Sequence, residues 1–226
     1  MEKIEVIILA AGAAKRMEKN IPKQFLRIGG KPILIYVIEV LEKAGLFSKF
    51  ILTTLPGYED HYEDLIKTYN LKNIELVEGG ETRQESCYFA LKSVKSEKVL
   101  IHEAARPFIT VEFINRIMGY DEVAVVPVLP IDFTVSVGDV YMTGMLQRDK
   151  LRNIQLPQLF NTEILRKAHE KAREDRFFAT EDSTLIFQLG EKVRFVEGLI
   201  ENFKITDQHD LFLAQQIKKA KDDIMT

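Results

Sequence analysis

An α/β fold, a doubly wound and mostly parallel sheet carrying a protruding β-arm, is what this 226-residue sequence predicts. Three observations predict it. Short apolar runs alternate with helical patterns from residue 4 to about 130, the signature of strands joined by crossover helices. The first run, Val6 to Leu9, is four aliphatic residues in a row, which suits a strand covered on both faces. Between Phe133 and Arg148 the pattern changes to period-two alternation around Gly138-Asp139, a hairpin with no helix to cover it. The expected organisation is one domain over 1–226, long enough to bury a full core, with the arm at about 133–148.

Each element has its own local cause. The first strand breaks into a loop of almost bare residues, Ala10 to Ala14, followed by Lys15-Arg16. "LRIGGKP" has paired glycines for a turn and Pro32 at a first helical position. The helix behind it places Leu34, Val37, Ile38 and Leu41 on one face and ends near Gly45. "KFILTTLP" reads as a second strand, "YEDHYEDLIKTYN" as a helix and "NIELVEGG" as a third strand. Thr82 and Glu85 have capping-box spacing, so another helix starts there. "KVLIHEAARP" is a strand running into a loop, and "EVAVVPVLP" is a fifth strand. After the arm, "LRNIQLPQLF" leads to helical stretches at about 162–175 and 181–189, a strand "KVRFVEG", and a final helix capped by Thr206. An uncovered hairpin needs a partner surface, and a second subunit is the simplest one.

Composition narrows the function classes. With 31 Lys+Arg against 34 Asp+Glu the net charge is -3, which argues against a general nucleic-acid surface, although local cations would suffice for a polyanionic ligand. The single cysteine, Cys87, allows no internal disulfide. No apolar run is long enough for a membrane span or signal peptide, so a cytoplasmic protein is expected. His61, His102, His169 and His209 are far apart and show no metal-ligand spacing with Cys87, so no dedicated zinc site is expected.

The small-residue loop is the strongest chemical signal. Residues without side chains let a ligand reach the backbone, and amides at a strand end favour an anion, most often a phosphate. A P-loop would need Lys followed by Ser or Thr after its second glycine, and the sequence has Lys15-Arg16-Met17. A dinucleotide fingerprint would need three glycines and an uninterrupted helix, whereas Gly12 stands alone and Pro22 intervenes. What remains is a strand, a bare loop, and Arg16 and Lys23 as two cations. Further clusters fall at expected strand ends: Gly79, Gly80 and Ser86 in "VEGGETRQES", Glu103 and Arg106 in "HEAARP", "ATED" at 179–182, and Lys204 in "NFKITD". Each also has a plain structural reading, as a turn, a surface ion pair, a helix cap or a solvated lysine.

Taken together, "LAAGAAKRM" with "PKQF", "VEGGETRQES", "HEAARP", "ATED" and "FKITD" resemble the motifs of the 2-C-methyl-D-erythritol 4-phosphate cytidylyltransferase family, in that family's order, from residue 6 to about 211. The resemblance implies a Rossmann-like nucleotidyltransferase fold. It implies transfer of CMP from CTP to 2-C-methyl-D-erythritol 4-phosphate in non-mevalonate isoprenoid synthesis, with release of pyrophosphate. It also implies Mg²⁺ bound mainly through the CTP phosphates, with no metal ligand from the protein, and a homodimer joined through the β-arm. By position, Ala10, Ala11 and Gly12 would lie against the nucleotide, Arg16 and Lys23 would face the triphosphate, Gly80 and Ser86 would hold cytosine, and Ala104 would meet the ribose region. Lys204 would touch phosphates of both substrates, Thr180 and Thr206 would lie near the acceptor phosphate, and Arg148 would reach it from the partner subunit. Glu103 and Arg106 fall at substrate-binding positions. Ala14 stands where the family has a second glycine, Glu103 replaces an aspartate, and "LPIDFT" departs from the usual Asp-Thr pair at Asp132 and Thr134. The departures near Glu103 and Asp132 keep open a related polyol phosphate such as ribitol 5-phosphate as acceptor. A non-catalytic nucleotide-binding protein on the same fold is the reading from another class.

Overall fold

A computed structural model describes residues 3–12 and 21–225. The first strand, β1 (Ile4–Leu9), is buried along its whole length and runs parallel to β4 (Phe47–Thr54) on one side and β6 (Lys98–Glu103) on the other. β5 (Ile74–Glu78) extends the sheet in parallel beyond β4. Between β1 and β4 a small ribbon, β2 (Arg27–Ile28) with β3 (Lys31–Pro32), turns the chain into α1 (Ile33–Ala44). Gly45 ends α1 in the left-handed conformation (φ 70°), which a residue without Cβ adopts freely. Pro32 stands at the N-cap of α1, one residue before the position expected from the sequence.

On the other side of β6 the direction changes. β11 (Gln158–Asn161) is antiparallel to β6 and to β7 (Ala124–Pro130), so the fifth apolar run of the sequence is separated from β6 by a later strand. β10 (Arg152–Ile154) pairs antiparallel with the end of β7, and β12 (Arg194–Glu197) pairs with β7 in parallel. The sheet is therefore mostly parallel, with two antiparallel strands, β10 and β11, the second of which the short, proline-interrupted "LPQLF" run did not announce.

Alternation along β1 divides the core. Val6 and Ile8 pack with Leu34, Val37, Ile38 and Leu41 of α1 and with Phe113, Ile114 and Ile117 of α4 (Val111–Met118). Ile7 and Leu9 point the other way, into Cys87, Ala90 and Leu91 of α3 (Arg83–Leu91) and Leu165 and Ala168 of α5 (Thr162–Glu174). Full burial of one aliphatic side chain is worth about 1.5–3 kcal/mol, so a continuous aliphatic strand is stable only where helices cover both faces. α2 (Glu59–Thr68) lies on the first face and α6 (Asp182–Gln188) on the second. A smaller cluster of Leu26, Ile28, Ile33, Phe108 and Ile205 seats α7 (Gln208–Met225) through Leu211 and Ala214, and fixes the segment before it.

The arm forms as a two-stranded hairpin, β8 (Ser136–Gly138) with β9 (Met142–Met145), and among the described residues neither strand pairs with the main sheet. It exposes Val137, Val140, Tyr141, Met142 and Met145 to solvent. Among the described residues no helix is long and apolar enough to cross a membrane.

Candidate active site

A cleft of ≈ 970 Å³ opens at the carboxyl ends of β1, β4, β5 and β6. Strand carboxyl ends are where open α/β sheets leave a crevice. Ala10, Ala11, Gly12, Lys23, Gly80, Ser86, Glu103, Ala104 and Lys204 all line it, although they come from separate stretches of the chain.

The floor is held by a buried tyrosine. Tyr62 on α2 donates to the Ala10 carbonyl (2.8 Å) and accepts from Gln24 Nε2 (2.8 Å) and the Leu55 amide (3.2 Å). Burial pushes its phenol up to about 12, so it stays a neutral donor. The Ala10 amide donates to Thr53 Oγ1 (2.9 Å) and the Ala104 amide to the Leu9 carbonyl (3.0 Å). The bare residues of the small loop suggest backbone amides open to an anion. For Ala10 this is corrected: the Thr53 hydroxyl, at the end of β4, already takes that proton. Gln24 belongs to the same short 3-10 turn as Lys23, so the Tyr62 network also anchors the lysine's turn.

Opposite the floor, Gly79 and Gly80 lead into α3. Thr82 caps that helix, its hydroxyl accepting from the Glu85 amide at 3.0 Å as the capping-box spacing predicts. The Glu85 carboxylate returns to the Glu81 amide (2.8 Å) rather than to Thr82. Ser86 Oγ accepts from the Gly80 amide (3.0 Å) and donates to the Thr82 carbonyl (2.9 Å), which pins the glycine turn against the helix. A Cβ on Gly79 would lie 2.3 Å from Ala11 Cβ, so glycine is required for the two loops to meet.

The third wall is a chain of charges. Lys204 Nζ lies 2.9 Å from Glu103 Oε1, and Arg83 Nε approaches the same oxygen at 3.3 Å. Arg106 Nε reaches Glu103 Oε2 at 3.4 Å while its Nη1 donates to the Asn202 carbonyl at 2.9 Å. Burial by itself would raise the Glu103 carboxyl, but Lys204, Arg83 and Arg106 outweigh it and hold the group at about 2. Glu103 and Arg106 are thus a buried pair, not the surface pair that was the plain reading of "HEAARP".

The remaining expected residues lie elsewhere. Arg16 and Ala14 fall outside the described residues. Arg106 does not line the cleft. Thr180 is exposed, two residues before α6 and next to its N-cap residue Glu181. Thr206 is half-buried and donates through its hydroxyl to Asp210 (2.6 Å), while the Asp207 carboxylate accepts the Asp210 amide (3.0 Å). Asp207, not Thr206, therefore caps α7, because only its carboxylate reaches a first-turn amide. Arg148 follows the arm, half exposed, and donates to the Asp132 carbonyl (3.0 Å) away from the cleft of its own chain. Asp132 and Thr134 are exposed near the root of the arm.

Arg83, Glu181, Asp182 and His169 carry no expected site role from the sequence, although "ATED" contains two of them and His169 enters only as a histidine without metal-ligand spacing. Arg83 Nη1 lies 2.8 Å from Asp182 Oδ2 and Nη2 lies 3.4 Å from Glu181 Oε2, while Asp182 Oδ1 meets His169 Nε2 at 3.0 Å. Together with Cys87, His169 and Asp182 form the one set of three potential metal ligands found among the described residues, a proximity that sequence spacing concealed. All three are buried outside the cleft, burial pushes the Cys87 thiol up, and Arg83 and His169 already occupy the carboxylate. The signal available in the sequence was "TRQES" itself, which places an arginine in a helix's first turn beside the glycine loop.

Comparison with known proteins gives a consistent match. The family profile described as IspD, 2-C-methyl-D-erythritol 4-phosphate cytidylyltransferase, matches residues 4–220. A protein of that name from Dictyoglomus thermophilum is 38% identical over 226 residues, covering 96% of this chain and 97% of its own. The crystal structure of the Thermus thermophilus protein of that name superposes with a TM-score of 0.80 at 32% identity, covering 96% of this chain and 99% of that one. The structure titled 4-diphosphocytidyl-2C-methyl-D-erythritol synthase from Anaerococcus prevotii gives a TM-score of 0.83 at 30% identity, with 96% of each chain covered.

Proposed function

The chain belongs to the 2-C-methyl-D-erythritol 4-phosphate cytidylyltransferase family, and from that premise we propose that its cleft joins CTP to 2-C-methyl-D-erythritol 4-phosphate, forming 4-diphosphocytidyl-2-C-methyl-D-erythritol and pyrophosphate. The observation that carries this is the convergence of Ala10–Gly12, Lys23, Gly80, Ser86, Ala104 and Lys204 on one cleft at the strand ends.

In this reading an oxygen of the acceptor phosphate attacks the α-phosphorus of CTP in line, forming one P–O bond as the bond to pyrophosphate breaks. Both reactants are anions, so the protein's work is to hold them together and to neutralise charge that grows in the transition state. Ala11 and Gly12 present backbone to the nucleotide, and Gly80 with Ser86 presents polar groups to the cytosine. Lys23 faces the triphosphate and stabilises the departing pyrophosphate, a role that the family resemblance also gives to Arg16. Lys204, held by Glu103 at the mouth of the β6 loop, lies between the two phosphates. The Glu103 carboxylate is already taken up by three cations, and a Mg²⁺ would enter mainly with the CTP phosphates, as the family resemblance implies. Such an ion supplies further neutralisation of the triphosphate.

We also assign the arm to a homodimer in which Arg148 reaches the partner's acceptor phosphate, and place the enzyme in the cytoplasm. What supports the first is an alternating hairpin with its apolar side chains exposed and Arg148 directed away from its own cleft. Pyrophosphate release with CTP, assayed against 2-C-methyl-D-erythritol 4-phosphate and ribitol 5-phosphate, tests the function. Turnover with the first is expected, and exclusive use of the second would overturn the acceptor assignment.

A further inference from the structure

Two sides of the cleft are joined by one guanidinium. Arg83 lies in the first turn of α3, the helix that carries Ser86, and its side chain is 19% exposed. It contacts three carboxylates from two distant segments: Glu103 at 3.3 Å, Glu181 at 3.4 Å and Asp182 at 2.8 Å. Glu103 in turn holds Lys204, at 2.9 Å. Glu181 and Asp182 immediately follow Thr180, and Gln84, the neighbour of Arg83, ties the same segment down by accepting from the Ala179 amide (2.9 Å) and donating to the Phe177 carbonyl (3.2 Å). Resting on the function proposed above, we infer that Arg83 is a positioning residue: it sets the acceptor end of the cleft by fixing Lys204 through Glu103 and Thr180 through Glu181 and Asp182.

The physical case lies in the number of charges gathered at one point. Three buried or half-buried carboxylates within reach of each other repel, and a forked, permanently charged guanidinium is the side chain able to face all three. Lysine can meet one or two of them. Without any cation there, Asp182 keeps the neighbouring His169 and the Cys87 thiol, and Glu181 keeps the Gln158 amide (3.0 Å), so the 177–182 segment loses its charged link to Glu103. Buried charge left unpaired drives local rearrangement, and a shift near 1 Å in a group that positions substrate costs on the order of a hundredfold in rate. The cytosine side is held by other bonds, Ser86 to Gly80 and Thr82 and Thr82 to Glu85, and needs no contribution from the Arg83 side chain.

The inference is tested by separating the two substrates. Wild type, Arg83→Lys and Arg83→Met are compared for melting temperature, for the Kd of CTP by calorimetry, and for kcat and acceptor KM by pyrophosphate release. Expected for Arg83→Met is a CTP Kd within about twofold of wild type, with kcat over acceptor KM lowered on the order of a hundredfold. Arg83→Lys should fall between, and if Arg83→Met does not fold, the lysine variant carries the same comparison. Folded variants with unchanged acceptor kinetics would overturn the inference. So would loss of CTP affinity and acceptor use in equal measure alongside a lowered Tm, which is what a purely structural arginine gives. If wild type instead turns over ribitol 5-phosphate, the acceptor assignment fails, and the Arg83 comparison is read with that substrate. If wild type turns over neither, the function fails, and the comparison is read as calorimetric binding of 2-C-methyl-D-erythritol 4-phosphate, which Arg83→Met must weaken while CTP affinity holds.

Discussion

Replacing Gly79 by alanine adds one methyl group where the structure has no room for it. The new Cβ would lie 2.3 Å from Ala11 Cβ, 2.9 Å from the Thr54 carbonyl oxygen and 3.1 Å from Ser86 Oγ. Ordinary contact begins at 3.4 Å, so Ala11 or Gly79 must retreat by about 3.4 − 2.3 = 1.1 Å. The Thr54 carbonyl blocks one direction, because it belongs to β4 and accepts the Gly79 amide at 2.9 Å. The small loop therefore moves into the cleft that it lines. Overpacking of this kind costs about 1–3 kcal/mol of stability, and displacement of a substrate-positioning loop by about 1 Å costs on the order of a hundredfold in rate. Thermal unfolding, CTP calorimetry and pyrophosphate release measure the three quantities. Neighbouring glycines give a graded control. Gly80→Ala meets Glu85 Cγ at 2.3 Å and Cβ at 2.7 Å. The carboxyl end can turn away by giving up its bond to the Glu81 amide, but the Cβ is fixed by α3, so the turn itself must also shift and a loss of stability is expected here too. Gly12→Ala meets only Lys23 Cε at 3.6 Å, so its effect on stability should be smallest. A Gly79→Ala chain with wild-type stability and CTP affinity would refute the claim that the β5 and β1 loops touch through that glycine.

Other expectations concern charge and assembly. Lys23→Ala should lower the rate of chemistry by roughly a hundred- to a thousandfold, about 3–4 kcal/mol, with CTP binding changed far less; single-turnover kinetics at wild-type speed would remove Lys23 from the triphosphate site. Arg148→Ala and Lys23→Ala homodimers should each be nearly inactive, and co-refolding them should recover roughly a quarter of wild-type activity, because half of randomly paired dimers contain one complete site. No recovery despite verified subunit exchange would rule out a shared site. Stability should fall as pH drops from 6.5 toward 4, since burial lowers the His102 imidazole to about 4 and the unfolded chain then binds the extra proton. The sign follows from a depressed folded value: the contribution is complete above 6.5, is lost on acidification through about 4, and amounts to about 3 kcal/mol. Denaturant titrations of wild type and His102→Gln should differ in slope over that window, and equal slopes would exclude His102 as the source.

The parts of the molecule legible in the sequence are those decided within a few residues. Val6–Leu9 declares a doubly covered strand, Thr82 with Glu85 a helix start, and Gly138-Asp139 a turn, because each depends on neighbours along the chain. Much of the cleft lining was legible too, since strand-end loops of a parallel sheet gather at one edge. What escaped depends on distant partners. Arg83 meets Asp182 across 99 positions, and Ala10 loses its free amide to Thr53 across 43. β11 escaped because "LPQLF" is too short to show a period, and its place between β6 and β7 is chosen by tertiary pairing.

The return of the arm to the sheet has a mechanical consequence. Arg152 pairs opposite Pro130, Asn153 opposite Leu129 and Ile154 opposite Val128, so the chain re-enters at the point from which it left. The excursion between them is a closed loop with a fastened neck. Its length is nearly independent of the sheet's register, since doubling such a loop costs only about 0.6 kcal/mol in closure entropy. Residues can be inserted, trimmed or exchanged beyond the neck to alter what the protein presents outward, while the strand ends that shape the cleft stay where they are.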